Sequence, residues 1–232
     1  MEFKAMKEAV TIYDTVQTAS AEYPIECDFI LPDYCDDVAR ILKCTAAALI
    51  TDKSMTGDRL QVEGSIFIKI LYVSEGGGLR SASNKVPFSK AFDIKMPMEQ
   101  HFINVDAMTD YVNCRLINQR RVDVRGAITL TAKVSVSRPQ EIITEASGCG
   151  VQMRKSPVTV GKIVGEVSKQ FTVREDLEIT RSNFTIQGVM ISRCYAKVTD
   201  YKVISNKVIV KGQLNVITTV ADSGNGVETL EH

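Results

Sequence analysis

The chain has 232 residues, of which 44% are apolar, so it is long enough for one large domain or two small ones with a core. Its 28 basic and 28 acidic residues balance, and neither sign forms a long run, which argues against a surface for nucleic acid or anionic membrane. No segment approaches the roughly 20 apolar residues of a membrane-spanning helix, and the N-terminus lacks the apolar stretch of a secretion signal. We therefore expect a protein made in a cytoplasm.

Short apolar patterns follow one another along the chain, and most of them are typical of strands. Residues 1–20 are compatible with a helix or with an extended arm. The spacing of the apolar residues predicts a short helix over 34–43 and its counterpart over 183–193. The remaining patterns predict strands, at 25–31, 45–51, 87–94, 111–117, 141–145, 167–173, 184–188 and 195–199.

The clearest strands each contain a glycine. After Gly64, Gly126 and Gly212, mostly apolar residues occupy every second position, as in a strand with one face on a core. A short alternating stretch also precedes each glycine. Each glycine is therefore predicted to lie inside one long strand, where it suggests a bulge or a sharp bend.

The chain contains an internal repeat. Residues 22–84 align with residues 170–232 without a gap, which pairs Gly64 with Gly212 at a shift of 148 positions. Gly126 lies 62 residues after Gly64 and 86 before Gly212, so its strand is related to the other two but not equivalent to them.

These patterns predict a mainly β protein made of sandwich-like antiparallel domains, with few short helices. We expect an N-terminal arm over 1–19, a complete β domain over 20–138, a connector over 139–165, and the first part of a second, incomplete copy over 166–232. Two explanations of the incomplete copy stay open. Either the chain is a fragment of a longer protein, which we favour because Leu-Glu-His is a common tag junction, or another molecule supplies the missing strands.

The six cysteines form no Cys-x-x-Cys pair, and the histidines are His101 and His232, so no structural zinc site is predicted. Their spacing does not choose a disulfide pairing either. Most of them are expected to be buried as small apolar residues. Cys149 follows a glycine and precedes another, and it is the best candidate for an exposed thiol that cross-links neighbouring molecules. The alternative is an ordinary reduced cysteine in a loop.

Catalytic chemistry has little support in the sequence. His101 is the one internal histidine, no Gly-x-Ser-x-Gly motif occurs, and we expect His101 to lie at the surface of a strand edge. The acidic pair Asp36-Asp37 is predicted to cap a helix or to be solvated. The basic pair Arg120-Arg121 is predicted either to meet an acidic partner or to protect a strand edge. No catalytic, cofactor or metal site is predicted.

One pattern combines V-x-G-x-I-x-I-x-I-x-Y, a glycine-rich turn, V-P-F-S, and a second glycine-containing strand. Its residues are Val62, Gly64, Ile66, Ile68, Ile70, Tyr72, Pro87, Phe88, Ser89, Arg121, Val122, Val124, Gly126 and Ile128. This pattern resembles the SPOCS domain of sporulation proteins from clostridia and their relatives, a family that includes the coat-morphogenesis adaptor SipL. The resemblance covers residues 20–136, with 166–232 as the start of a second copy. The residues that define the repeat are Gly64, Gly126, Gly212, Pro87 and Phe88.

The resemblance implies a non-enzymatic structural or scaffolding protein of the bacterial spore envelope, coat or exosporium. Such a protein is made in the mother-cell cytoplasm, is deposited on the spore surface, and contacts other envelope proteins and copies of itself. No cofactor, nucleic acid or membrane span is expected. One alternative is a soluble morphogenetic adaptor that recruits another coat protein. A weaker alternative is a carbohydrate-binding β module, against which the absence of Trp and the 6% aromatic content count.

Overall fold

The computed structural model describes residues 4–95, 101–148, 150–161, 165–169, 171–176, 186–222 and 226–232. All regular elements in these ranges are β-strands, which confirms the predicted mainly β fold. The strands of this described part are β1 (Lys4–Ile30), β2 (Val38–Thr56), β3 (Arg59–Ser74), β4 (Leu79–Asp93), β5 (His101–Asn118), β6 (Arg121–Ser147), β7 (Ile186–Ile204), β8 (Lys207–Asp222) and β9 (Val227–Glu231).

The strands form three antiparallel sheets of three strands each. The first sheet has the order β1-β6-β5, the second β2-β3-β4, and the third β7-β8-β9. The first and second sheets pack face to face and enclose one hydrophobic core. The predicted sandwich is therefore confirmed in the first half of the chain.

The core comes mainly from the two central strands, because a central strand is covered by a neighbour on each side and by the facing sheet. The alternating residues after Gly64 and Gly126 point inward, as their spacing predicts. The residues of β3 and β6 that are at most 1% exposed are Leu60, Val62, Ile66, Ile68, Ile70, Tyr72, Val122, Val124, Ala127, Ile128, Leu130, Ala132 and Val134.

The predicted helix over 34–43 is wrong. Residues 33–35 turn, and β2 begins at Val38, whose N–H donates to the Gln119 carbonyl at 2.8 Å. The register of β2 against β3 is irregular after Val38 and again after Ile41. Each irregularity moves the next inward position by one residue, so an irregular strand produces apolar spacing that resembles a helix.

The predicted helical counterpart over 183–193 is also wrong, because residues 186–193 belong to β7. Its register is irregular after Ile186 and after Val189, at the positions equivalent to Val38 and Ile41. Residues 183–185 lie outside the described residues. The strand predicted over 184–188 is confirmed for 186–188.

The N-terminal twenty residues are extended from Lys4 onward. β1 continues across the predicted end of the arm at residue 19, and β6 continues across the predicted end of the domain at residue 138. The two strands pair along their length, from Lys4 with Ser147 at one end to Ile30 with Arg121 at the other. The helical alternative for this segment is therefore wrong. The division of the chain into arm, domain, connector and second copy stays a prediction.

The strand predicted over 167–173 is wrong for its described part, because residues 165–169 and 171–176 have no regular structure. Val167 is 89% exposed and Phe171 is 74% exposed. A strand forms only when its backbone groups find a partner strand, and within the described residues this segment has none.

The internal repeat is visible in the fold. β7 and β8 have the bounds of β2 and β3 shifted by 148 positions, with the same register and the same irregularities. The turns that follow are also alike, since Ser74 N–H donates to the Gly78 carbonyl at 2.9 Å and Asp222 N–H donates to the Gly226 carbonyl at 2.9 Å.

Candidate functional site

Gly64 lies in β3 where the neighbouring strand comes closest. It is paired with Ile50, and Thr51 is the extra residue of an irregularity on β2. The irregular residue therefore lies on the neighbouring strand and not on the strand that carries the glycine. A Cβ atom at Gly64 would lie within 3.0 Å of the Leu49 carbonyl oxygen and of the Phe88 ring. The absent side chain is what allows this close approach.

Gly126 and Gly212 have the same kind of environment. A Cβ atom at Gly126 would lie within 3.0 Å of the Tyr111 carbonyl oxygen, and one at Gly212 would lie 2.7 Å from the Lys197 carbonyl oxygen. In all three cases the oxygen belongs to the residue that precedes the glycine's partner on the neighbouring strand. In all three strands, the absence of a side chain at the glycine thus lets a carbonyl oxygen of the neighbouring strand come close.

Pro87 and Phe88 lie in β4 next to Gly64. Phe88 is paired with Gly64, and Pro87 is paired with Ser65. The Phe88 ring is 3% exposed and packs against Tyr23 of the first sheet, with ring centroids 5.7 Å apart. The structure therefore brings Gly64, Pro87 and Phe88 together, while Gly126 and Gly212 lie in other sheets.

The predicted basic pair binds acidic groups of its own chain. Arg120 donates from Nη1 to Asp37 Oδ1 at 2.7 Å, and from Nη2 to the Pro32 carbonyl at 2.9 Å. Arg121 donates from Nε to Asp28 Oδ1 at 2.8 Å, and this hydrogen bond lowers the pKa of Asp28. Arg120 therefore fixes the connection between β1 and β2, and Arg121 joins β6 to β1. Sequence reasoning did not anticipate either contact.

The cysteines differ in environment. Cys44 of β2 and Cys114 of β5 form a disulfide that joins the second sheet to the first, with their Cα atoms 6.1 Å apart. Burial raises the pKa of the Cys27 and Cys35 thiols, which disfavours the reactive thiolate. Cys194 of β7 is an exposed free thiol. Cys149 lies outside the described residues, so its predicted exposure and cross-linking role stay a prediction.

Tyr72 is the largest fully buried side chain of the core. Its Oη donates to the Asp36 carbonyl at 3.0 Å, which ties the end of β3 to the loop before β2. Burial is the main cause that raises the pKa of Tyr72 to about 12. The phenol therefore stays protonated over the physiological range.

The third sheet meets the sandwich at one end. The Val189 carbonyl of β7 accepts hydrogen bonds from Ser81 Oγ at 2.8 Å and from Lys69 Nζ at 3.4 Å, and Arg80 Nη1 donates to Gln187 Oε1 at 2.6 Å. Burial lowers the pKa of Lys69. These contacts are polar and local, so most of the third sheet extends away from the core.

One face of the third sheet is apolar and exposed. Residues that pair across an antiparallel sheet share a face, and here the pairs place apolar and small uncharged residues together. The residues of this face, which we call the open face, include Val198, Tyr201, Val203, Val208, Val210 and Leu214, which are 42–71% exposed. An apolar surface of this kind marks an interaction site more often than a single exposed residue does.

The opposite face of the third sheet mixes charged side chains with exposed apolar ones, among them Tyr195, Ile204 and Ile209. It alternates with the open face along both strands and carries Arg193, Lys197, Lys202, Lys207 and Lys211, with Asp200 paired to Lys211. The contrast identifies the open face as the candidate functional site, because charge keeps the other face in water. The sequence showed the alternation of β8, but the pairing with β7 was needed to show a continuous apolar face.

Other chemical groups form no recognisable site among the described residues. His101 begins β5 opposite Val136 and is half-buried. Asp36 accepts from Arg80 Nε at 2.7 Å, so the predicted acidic pair Asp36-Asp37 binds arginines. Within the described ranges, no three His, Cys, Asp or Glu side chains are placed to hold a metal ion. The same ranges contain no helix with the length and apolar character to cross a membrane.

Comparison with known families supports the resemblance seen in the sequence. Residues 37–117 match the family described as SipL, SPOCS domain. The matched range covers β2, β3 and β4 and nearly all of β5, and it includes Gly64, Pro87 and Phe88. The suspected family is therefore confirmed for this range. Comparisons with curated proteins and with solved structures gave no match.

Proposed function

We propose, from the premise that residues 37–117 carry a SPOCS domain, that this chain is a non-enzymatic structural protein of the bacterial spore envelope. SPOCS domains are found in sporulation proteins, and this family match is the observation that carries the proposal. The protein is made in the mother-cell cytoplasm and becomes part of the coat or exosporium. Its partners are other envelope proteins and copies of itself.

The open face supports a function through protein contacts. Its side chains are apolar, and the exposed thiol of Cys194 lies on the same face, since Cys194 pairs with Val216. Burial of apolar area is the main favourable term in protein association. A thiol on such a face cross-links neighbours once the envelope becomes oxidising, and Cys149 is a second candidate for this role.

Fractionation of sporulating cells tests the proposal. The chain is expressed with an epitope tag in a sporulating bacterium, and spores are separated from the mother-cell extract. We expect the chain in the spore-surface fraction, released by denaturant together with reductant. Recovery of the chain only in the soluble extract, at the same level as a cytoplasmic marker, would remove the spore-envelope proposal.

Light scattering on the purified chain separates scaffolding from the adaptor alternative. A structural protein that assembles with itself forms larger species as its concentration rises, and oxidation makes them resistant to dilution. A stable monomer at high concentration favours an adaptor that recruits another coat protein. Reducing and non-reducing electrophoresis of Cys149→Ser and Cys194→Ser chains then identifies the thiol that cross-links.

A further inference from the structure

The open face of the third sheet is the equivalent of a face that is covered in the second sheet. At the shift of 148 positions, Val208, Val210 and Leu214 correspond to Leu60, Val62 and Ile66. The residues of the second sheet are at most 1% exposed, because the first sheet covers them. Their counterparts in the third sheet are 60%, 58% and 42% exposed. Two sheets whose first two strands have equivalent bounds and the same register thus differ in what covers them.

A second observation concerns the segment that precedes the third sheet. Residues 165–176 correspond to residues 17–28 of β1, with Phe171 at the position of Tyr23 and Val173 at the position of Ile25. In the first copy this segment pairs with β6, and Ile25 is 1% exposed. In the second copy the described residues of the segment have no regular structure, and Val173 is 54% exposed.

Both observations are explained by one element that has no second copy among the described residues. In the first copy, β6 is the strand that pairs with β1, and β5 and β6 together face the second sheet. The inner residues of β6 are aliphatic and fully buried, as Val122, Val124 and Leu130 show, and inner residues of β5 such as Ile103 and Val105 are partly buried against the same core. The second copy has the counterpart of the covered face and the sequence counterpart of β1. Among the described residues, one hairpin of the β5–β6 kind occurs, and it already covers the second sheet.

We propose that the open face, together with residues 165–169 and 171–176, is a docking site for a β-hairpin of the β5–β6 kind, with alternating aliphatic residues on its inner face. The hairpin packs its aliphatic face on the open face, and its outer strand pairs with the segment that corresponds to β1. Binding thus combines apolar burial with strand addition, which gives affinity through the backbone and specificity through side-chain pockets. The proposal rests on the proposed function for its biological meaning.

Charge supports this orientation of the partner. The open face pairs such as Val203–Val208, Tyr201–Val210 and Ala196–Leu214 carry no charge, whereas the opposite face carries five basic residues. An aliphatic hairpin therefore gains by covering the open face and would have to desolvate lysines on the other one. The partner is expected to present alternating aliphatic residues on one strand face and a free strand edge.

The purified chain with residues 85–147 appended after His232 tests the proposal. The appended residues continue the repeat in register, since His232 corresponds to Asn84. Ser192→Cys places a thiol at the position equivalent to Cys44, whose partner is Cys114. The test chain also carries Cys149→Ser and Cys194→Ser. We expect peptide mapping to show a disulfide between position 192 and the appended copy of Cys114, in addition to the bond between Cys44 and the original Cys114. Hydrogen exchange of residues 165–176 should slow by more than about tenfold.

Two controls make the result specific. Arg193→Cys introduces a thiol on the opposite face, one position further along β7, and it should form no such disulfide. Ser192→Cys without the appended residues has no spare Cys114 and should form none either. Exchange protection of β3 and β6 in the same sample reports that the first sandwich is folded.

The proposal is overturned if the appended chain, with β3 and β6 protected, forms no disulfide at position 192 and leaves residues 165–176 unprotected. It is also overturned if the unextended chain protects its open face by dimerising face to face, which light scattering with hydrogen exchange would reveal. Because these measurements use purified protein, their failure is distinct from a failure to reach the spore surface.

Discussion

At the scale of single residues, three glycines allow the long strands to approach their neighbours. A side chain at Gly64 or Gly126 would meet a backbone carbonyl oxygen of the adjacent strand, and a backbone atom moves only with its whole strand. The reason for these glycines is therefore steric, because their backbone lies outside the left-handed region in which glycine is otherwise preferred.

We expect Gly126→Ala to lower the free energy of unfolding by about 1–3 kcal/mol, as overpacking of a core does. Unfolding in denaturant, followed by circular dichroism, measures the change. Gly161→Ala is the matched control, because a Cβ atom at Gly161 has nothing within 4 Å. Equal stability of the Gly126→Ala chain and the Gly161→Ala chain would contradict the steric explanation.

The buried phenol of Tyr72 makes stability depend on pH at the alkaline end. Its pKa is raised from 10.0 in the unfolded chain to about 12 in the folded chain, so its stabilising contribution is complete below pH 10. That contribution is lost as the pH rises from 10 through 12, and it amounts to about 2–3 kcal/mol. Tyr72→Phe removes the titrating group. The difference in stability between the two chains should therefore shrink above pH 10, and a constant difference up to pH 12 would be inconsistent with a buried phenol.

At the scale of elements, the disulfide between Cys44 and Cys114 ties β2 of the second sheet to β5 of the first. It closes a segment with a sequence separation of 70, which restricts the unfolded chain. We expect reductant to lower the free energy of unfolding by about 2–4 kcal/mol.

The double variant Cys44→Ser, Cys114→Ser should be insensitive to reductant. Cys194→Ser retains the bonded pair and should behave like the unchanged chain. Thermal unfolding with and without reductant checks this prediction. A Cys194→Ser chain that loses the reductant effect would show that another thiol pair is responsible.

The sequence predicted strands well where one face alternates, as in β3 and β6. It failed for 34–43, because irregular register gave strand residues a helical spacing. It also failed for 167–173, whose side chains have the pattern of a strand but whose partner strand is absent from the described residues. Local pattern reports which face a residue prefers, whereas the existence of a strand depends on distant pairing. The disulfide was equally inaccessible, because spacing along the chain gave no reason to pair Cys44 with Cys114.

At the scale of the whole molecule, a closed sandwich is joined to an open half-sandwich built from the same repeat. The closed part is held by its core, by Arg120 and by the disulfide. The open part has an apolar face. The equivalent face of the closed part is covered by a sheet. The candidate site was partly predictable, since the repeat and the alternation of β8 are in the sequence, but its exposure depends on the absence of a covering element among the described residues.

The most direct test of the proposed role of the open face compares two substitutions at adjacent residues of β8 in sporulating cells. Val210→Lys places a charge on the open face, and Ile209→Lys makes a similar change on the opposite face, where lysines already occur. Circular dichroism first confirms that both chains are folded. We predict that the Val210→Lys chain is lost from the spore-surface fraction while the Ile209→Lys chain is retained. Retention of both chains at the level of the unchanged protein would contradict the claim that the open face holds this protein in the spore envelope.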